Sequence, residues 1–180
     1  MAYRLNVPWV RQSQEMSCWL ASAHMILRYY HLHYALPQPM KDLYSANQGV
    51  AHWKIGEMAA GFGFGWVPEP EYRAGGFSGW GSLERIEREL RERGPLWCSG
   101  RFGSGGDGQV GLYDHCIVVV GVSEDGHVLY NDPAKERHPL PMGVAEFDRL
   151  LWKENNIGNG DAVLYKKRVL PLKPLPVPPQ

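Results

Sequence analysis

The sequence has little of several things that would have placed it at once. It contains three cysteines in 180 residues, too few and of the wrong parity for a disulfide framework. No stretch approaches the ~18 consecutive apolar residues of a transmembrane helix, so no membrane span is expected. The segment Met1–Val10 lacks the basic start and long apolar run of a cleaved signal peptide. Synthesis in a reducing cytoplasm is therefore the expectation, and export would need a specialised secretion system that uses no cleaved signal. Nor is there a surplus of charge. The 19 basic and 19 acidic side chains cancel, which argues against nucleic acid as the main partner, because phosphate binding needs a basic excess. There is no internal repeat. The glycine-rich run from Gly100 to Gly108 lacks the Gly-Lys-Ser/Thr ending of a phosphate loop and reads as a loop between strands. His31 and His33 have no cysteine or carboxylate close by, so they do not read as a metal site, and no cofactor is expected.

What remains is an ordinary globular composition, 44% hydrophobic and 21% charged, on a chain long enough to bury a core. The clearest element is CWLASAHMILRYY, from Cys18 to about Tyr30. It holds no glycine or proline and is apolar on nearly every face, the mark of a buried helix. Ser17 stands where an N-cap would. Weaker helices are expected near Met40–Ala46 and Trp53–Ala60, and Gly61–Gly81 reads as a long irregular loop rich in glycine and aromatics. Ser82 is expected to cap an amphipathic helix to Arg93, with Gly94 as its stop and Glu84–Glu89 as a solvated face.

Beyond Gly94 the pattern turns to strands: Pro95–Phe102, Tyr113–Val122, His127–Asn131 and Ala162–Lys166. Asp125-Gly126 signals a tight hairpin between two of them. A short helix near Val144–Trp152 interrupts the series. Residues 169–180, VLPLKPLPVPPQ, form a proline-rich tail that should be extended. Helices first and an antiparallel sheet second make an α+β fold, with residues 1–168 as a single domain.

Three short segments carry chemistry. Cys18 opens the buried helix, where the positive helix end lowers a thiol's pKa and makes it a better nucleophile. Taken alone it is equally the buried structural cysteine that most single cysteines turn out to be. His115 stands at the mouth of the apolar strand Tyr113–Val122, a place where an isolated histidine is often only satisfied structurally. Asp132 follows at the end of the next strand, in Asn131-Asp132-Pro133. The hairpin sets this strand beside the histidine strand, so a carboxylate or amide here can reach the second imidazole nitrogen and orient the ring. Cys98 and Cys116 read as reduced strand residues, with Cys116 pointing to the face opposite His115.

The string Gln12-Ser13-Gln14-Glu15-Met16-Ser17-Cys18-Trp19 resembles the nucleophile segment of papain-like cysteine peptidases. Gln12 stands six places before the cysteine, small Ser17 directly before it and aromatic Trp19 directly after, as in that family. Cys18, His115 and Asp132 also follow the family's chain order. The likeness is greatest to its compact bacterial branch, which includes staphopain-like injected effector proteases and the peptidases that remove double-glycine leaders. It covers about Val7 to Pro133. It implies a papain-like domain in which a nucleophile helix packs on an antiparallel sheet. It also implies a Cys18–His115–Asp132 triad and an oxyanion hole formed by Gln12 and the Cys18 N–H. Trp19, Asp114, Trp66 and Trp80 are expected to border the substrate cleft. Asn131 competes for the orienting role; Asp132 is preferred because it matches the branch and because a buried carboxylate better stabilises imidazolium.

The sequence also departs from the larger papains. Glu15 replaces a disulfide cysteine, and the spacing from Cys18 to His115 is shorter than the roughly 130–150 residues of cathepsin-like enzymes. The resemblance implies a protein or peptide substrate. If the enzyme is a delivered bacterial toxin, it also implies an immunity protein as partner. Rival readings are a peptidoglycan amidase or acyltransferase on a related fold, and a non-catalytic binding module.

Overall fold

The fold comes from a computed structural model, which describes residues 2–67, 79–104, 110–136, 138–152 and 162–167. Seven antiparallel strands make one sheet. They are β1 (Tyr3–Arg4), β2 (Phe64–Trp66), β3 (Leu96–Ser104), β4 (Val110–Val122), β5 (His127–Asn131), β6 (Leu140–Gly143) and β7 (Val163–Lys166). Their spatial order is β2-β7-β3-β4-β5-β6, with β1 added against the end of β4. The helices are α1 (Cys18–Tyr29), α2 (Gln38–Ser45), α3 (Ile55–Phe62), α4 (Leu83–Arg93) and α5 (Val144–Leu150). The α+β class and the nucleophile helix packed on an antiparallel sheet are as the sequence implied.

The sheet separates two apolar layers. On one side α1 and α3 pack through Trp19, Ala23, Ile26 and Met58 onto Trp97, Cys116, Val118 and Val120. On the other, α4 and α5 pack through Ile86, Leu90 and Phe147 onto Cys98, Ile117, Val119 and Val163. The Cys116–Val122 part of β4 is covered on both faces, so its sequence there is an unbroken apolar run rather than an alternation. Met25, Ile26 and Leu27 are each at most 3% exposed. Truncating any of them to alanine should cost about 2–5 kcal/mol.

Local chemistry explains the boundaries. Gly126 takes φ 88° in the turn between β4 and β5, where a side chain would be strained. Gly63, at φ 64°, ends α3 in the left-handed conformation typical of a helix stop. Ser82 caps α4 by accepting the Arg85 N–H at 3.3 Å.

Four expectations change here. Ser17 precedes α1, but its hydroxyl turns back to Gln14, donating to the carbonyl at 2.9 Å and accepting from the N–H at 3.0 Å. It therefore shapes the loop entering the helix instead of capping the helix itself. Within Gly61–Gly81, Phe64–Trp66 is a strand, because pairing with Leu164–Lys166 supplies backbone partners that no local pattern reveals. The Glu84–Glu89 stretch is only partly a solvated face. Arg85 and Glu89 are each 6% exposed, with the Arg85 guanidinium 4.2 Å from the Trp80 ring centre and Glu89 held by Arg93 at 2.6 Å. Strands β1 and β6 are too short to signal themselves. The remainder of the Gly61–Gly81 loop (68–78), the centre of the glycine-rich loop (105–109) and the proline-rich tail (169–180) lie outside the described residues.

Candidate active site

Cys18 is the first residue of α1, so it stands among N–H groups that have no carbonyl four residues earlier within the helix. Two bonds fix that helix end against the sheet and a third ties it to the loop after α2. Ser22, one turn further along the same helix face, donates its hydroxyl to the Cys116 carbonyl at 3.1 Å. The Trp97 indole donates to the Trp19 carbonyl, and the Trp19 indole to the Gln48 carbonyl, each at 3.2 Å.

His115 and Asp132 arrive from the neighbouring strands β4 and β5. The register places Val118 opposite Asn131, so Asp132 leaves the end of β5 beside the histidine. His115 Nε2 and Asp132 Oδ1 lie 2.7 Å apart, and both side chains are 5% exposed. With Nε2–H donated to the carboxylate, Nδ1 is the nitrogen left to serve Cys18, which lines the same cleft. The Ala134 N–H also donates to Asp132 Oδ1 at 2.8 Å. The turn carrying Asp132 is bolted to the N-terminal segment. Trp9 donates its indole N–H to the Asp132 carbonyl at 2.9 Å, and the Gln12 N–H donates to the Pro133 carbonyl at 3.0 Å. Asn131 uses its amide elsewhere, donating to the Val7 carbonyl at 3.2 Å.

The electrostatics follow from these contacts. For Cys18 the hydrogen bond from the Cys116 side chain has the largest effect, and it holds the thiol well below its ordinary value. Burial opposes that effect, while the bond and positive charge of His115 and a bond from the Cys116 main chain reinforce it. For His115 burial is the strongest single influence and pulls the pKa down. The bonds and negative charges of Asp132 and Cys18 together outweigh it and raise the imidazole to about 9. A depressed thiol facing a raised imidazole favours a thiolate–imidazolium pair near neutral pH.

Both groups open onto a cleft of about 680 Å³. One wall is the small-residue run Gly49-Val50-Ala51. Further along, His52 Nε2 approaches Asp114 Oδ2 at 3.4 Å, and the His52 ring leans on Trp152 with centroids 4.1 Å apart. Tyr113, half exposed, presents its ring edge-on to His115 at 6.2 Å. Among the described residues no cluster of three or more His, Cys, Asp or Glu is placed to hold a metal.

The structure thus brings Cys18, His115 and Asp132 together and sets Gln12, Trp19 and Asp114 along the cleft. Trp66 and Trp80 do not border it. Trp80 is 1% exposed in the layer beneath α4 and α5, and Trp66 sits on edge strand β2 beside Ala60 and Tyr165. Burial against a second core explains the first, and strand pairing explains the second. Gln12 departs from the simple oxyanion picture. Its amide N–H groups go to the Gln14 carbonyl at 3.1 Å and the Glu15 carbonyl at 2.8 Å, leaving its own oxygen buried without a partner. Cys116 does not turn away from His115 as strand alternation predicts: both line the cleft beside Cys18, and Cys116 lies on the side of the sheet away from Ile117 and Val119. That face is the one α1 covers, so Cys116 meets Cys18 and lines the cleft. Sequence reading missed Gly49–Ala51, His52 and Tyr113. The only local sign was the run of small residues, and nothing near His52 marks its approach to Asp114.

Comparison with known proteins bears on the family and the fold. Residues 1–151 match the family described as papain-like cysteine protease AvrRpt2. A crystal structure of a C39-like peptidase from Bacillus anthracis superposes with a TM-score of 0.58 at 16% identity, covering 93% of this chain and 98% of that one. At that identity the likeness speaks for the fold. No curated protein sequence matches significantly. With a helix-borne cysteine facing a buried histidine–aspartate pair, and with most of its length matching one family, the chain is a cysteine peptidase belonging to the papain-like AvrRpt2 family.

Proposed function

We propose that this peptidase cleaves peptide bonds with Cys18 as nucleophile, His115 as proton carrier and Asp132 as the group that orients the imidazole. The observation that carries the reading is the buried 2.7 Å contact between His115 and Asp132, at the base of a cleft that also holds Cys18. The Cys18 thiolate attacks the scissile carbonyl carbon, and the carbonyl electrons move onto oxygen. As the C–N bond breaks, the His115 imidazolium gives its proton to the departing amine, leaving a thioester on Cys18. Water then attacks the thioester while neutral His115 takes its proton. Collapse releases the acid and restores the thiolate–imidazolium pair.

The developing oxyanion lies at the start of α1, where the Cys18 N–H and the helix dipole stabilise it. Gln12 supplies a second donor once its amide turns from the Gln14 or Glu15 carbonyl toward the cleft. The enzyme acts as an exported or injected effector, toxic to its target and neutralised in its producer by an immunity partner. The resemblance to injected effector proteases supports this role. Mapping new protein termini in cells that express wild type or Cys18→Ala tests the reading. Termini that depend on Cys18 are expected; identical terminus sets in the two strains would remove peptide hydrolysis from the account.

A further inference from the structure

The mechanism uses one cysteine, yet a second touches it. Cys116 lies on the α1 face of β4, next to the strand position of His115. Its carbonyl is fastened to α1 by Ser22, one turn from Cys18; the two cysteines line the same cleft and pack in the same apolar layer, and Cys116 is the largest single influence on the Cys18 thiol. Ser99 is its register partner across β3 and β4. Peptide hydrolysis needs no second thiol here. Cys98, the remaining cysteine, is paired with Ile117 and faces the opposite layer. We propose that Cys18 and Cys116 form a dithiol that hydroperoxides close to a disulfide, reversibly blocking the nucleophile.

The chemistry balances without a metal or cofactor. The Cys18 thiolate attacks the terminal oxygen of a hydroperoxide, the O–O bond breaks, and the alkoxide or hydroxide takes the His115 proton and leaves. Cys18 is then a sulfenic acid. The Cys116 sulfur attacks the Cys18 sulfur, the S–O bond breaks, and hydroxide departs with the Cys116 proton as water. Two thiols have lost two electrons, and the peroxide has become an alcohol, or water, plus a further water. The resting environment favours this order of events. The thiolate is the form that reacts with peroxide, and Cys18 is the thiol held low. Cys116 is pushed up, first by burial and then by the bond and negative charge of Cys18. Conversion of Cys18 to an uncharged sulfenic acid removes that charge and frees Cys116 to react. An external thiol reverses the bond by exchange.

The proposal shares Cys18 with the peptidase reading. Its test follows covalent state rather than cleavage, so the two fail separately. The full chain is treated with a small excess of hydrogen peroxide, quenched, and mapped as peptides without reduction, with free thiols counted in denaturant. A peptide pair joined through Cys18 and Cys116 is expected, with thiols falling from three to one and returning to three after dithiothreitol. In Cys116→Ser and Cys116→Ala the same treatment should carry Cys18 on to sulfinic acid, which dithiothreitol does not reverse. Cys98→Ser should still form the cross-link. Wild-type Cys18 recovered as a free thiol, as sulfinic acid beside a free Cys116, or bonded to Cys98 would overturn the proposal, whatever the two Cys116 variants do.

Discussion

Replacing Asp132 by asparagine removes one charge and little else. The asparagine oxygen can still accept from His115 Nε2–H and from the Ala134 N–H that Asp132 Oδ1 serves now, and the Trp9 bond goes to the main chain. The fold should therefore survive. What disappears is the negative partner of a pair whose side chains are 5% exposed. Breaking such a buried pair costs about 3–5 kcal/mol. At about 1.36 kcal/mol per tenfold in rate, kcat/KM should fall roughly 10²- to 10⁴-fold if that cost falls on the imidazolium state.

The direction with pH follows as well. In wild type the contacts with Asp132 and Cys18 raise His115 to about 9 against the pull of burial. The upper limb of the kcat/KM profile should then fall near pH 9 and move to lower pH in Asp132→Asn. Because the folded pKa is raised, the stability it brings is complete below the unfolded value of about 6.5 and is lost as pH rises toward 9. The melting-temperature gap between wild type and variant should accordingly be wide at pH 6 and narrow by pH 10. Continuous cleavage of a fluorogenic peptide from pH 5 to 10, with melting curves alongside, measures both. Activity within a few-fold of wild type and an upper limb still at pH 9 would refute the orienting role of the carboxylate.

The remaining predictions are smaller. Asn131→Ala should keep most activity but lose the bond to the Val7 carbonyl. A cost of about 1–3 kcal/mol lowers the melting temperature by roughly 2–12 °C at this chain length, and calorimetry would show it; a deep loss of turnover at unchanged stability would return the orienting role to Asn131. Iodoacetamide should label Cys18 fastest of the three cysteines at pH 6, since it is held well below its ordinary value. Peptide mapping that finds Cys98 or Cys116 labelled as fast would count against an activated thiol. Gln12→Ala should lose roughly 10²- to 10³-fold in kcat with KM little changed, whereas Gln14→Ala stays within a few-fold. Equal activity of the Gln12 variant and wild type would mean that the amide stays with the Gln14 and Glu15 carbonyls during catalysis.

Much of the fold could be read along the chain because its signals are local. A stretch without glycine or proline, apolar on nearly every face, announced α1 from Cys18, and Asp125-Gly126 announced the hairpin that sets Asp132 beside His115. Strand β5 fell on the residues expected, His127–Asn131. The failures share a cause. Phe64–Trp66 became a strand only because Leu164–Lys166 supplied its partner from the far end of the chain. Trp80 looked like a cleft residue until α4 and α5 closed over it.

The site divides along the same line. Residue types and spacing in the sequence alone determined that Cys18 starts a helix, that His115 lies on a strand, though β4 begins at Val110 and carries it further inside than expected, and that an acid follows one hairpin later. Strand alternation put Cys116 on the face opposite His115, yet both border the cleft, and Cys116 lies on the face that α1 covers. Which layer covers that face depends on how α1 docks, through Ser22 on the Cys116 carbonyl and Trp97 on the Trp19 carbonyl. Only the tertiary structure decided that Cys116 borders the cleft beside Cys18, that His52 meets Asp114 across the cleft, and that Gln12 rests on its own loop. A local pattern sets the backbone of one segment. Contacts between distant segments depend on the packing of the whole chain, which no single stretch of sequence encodes.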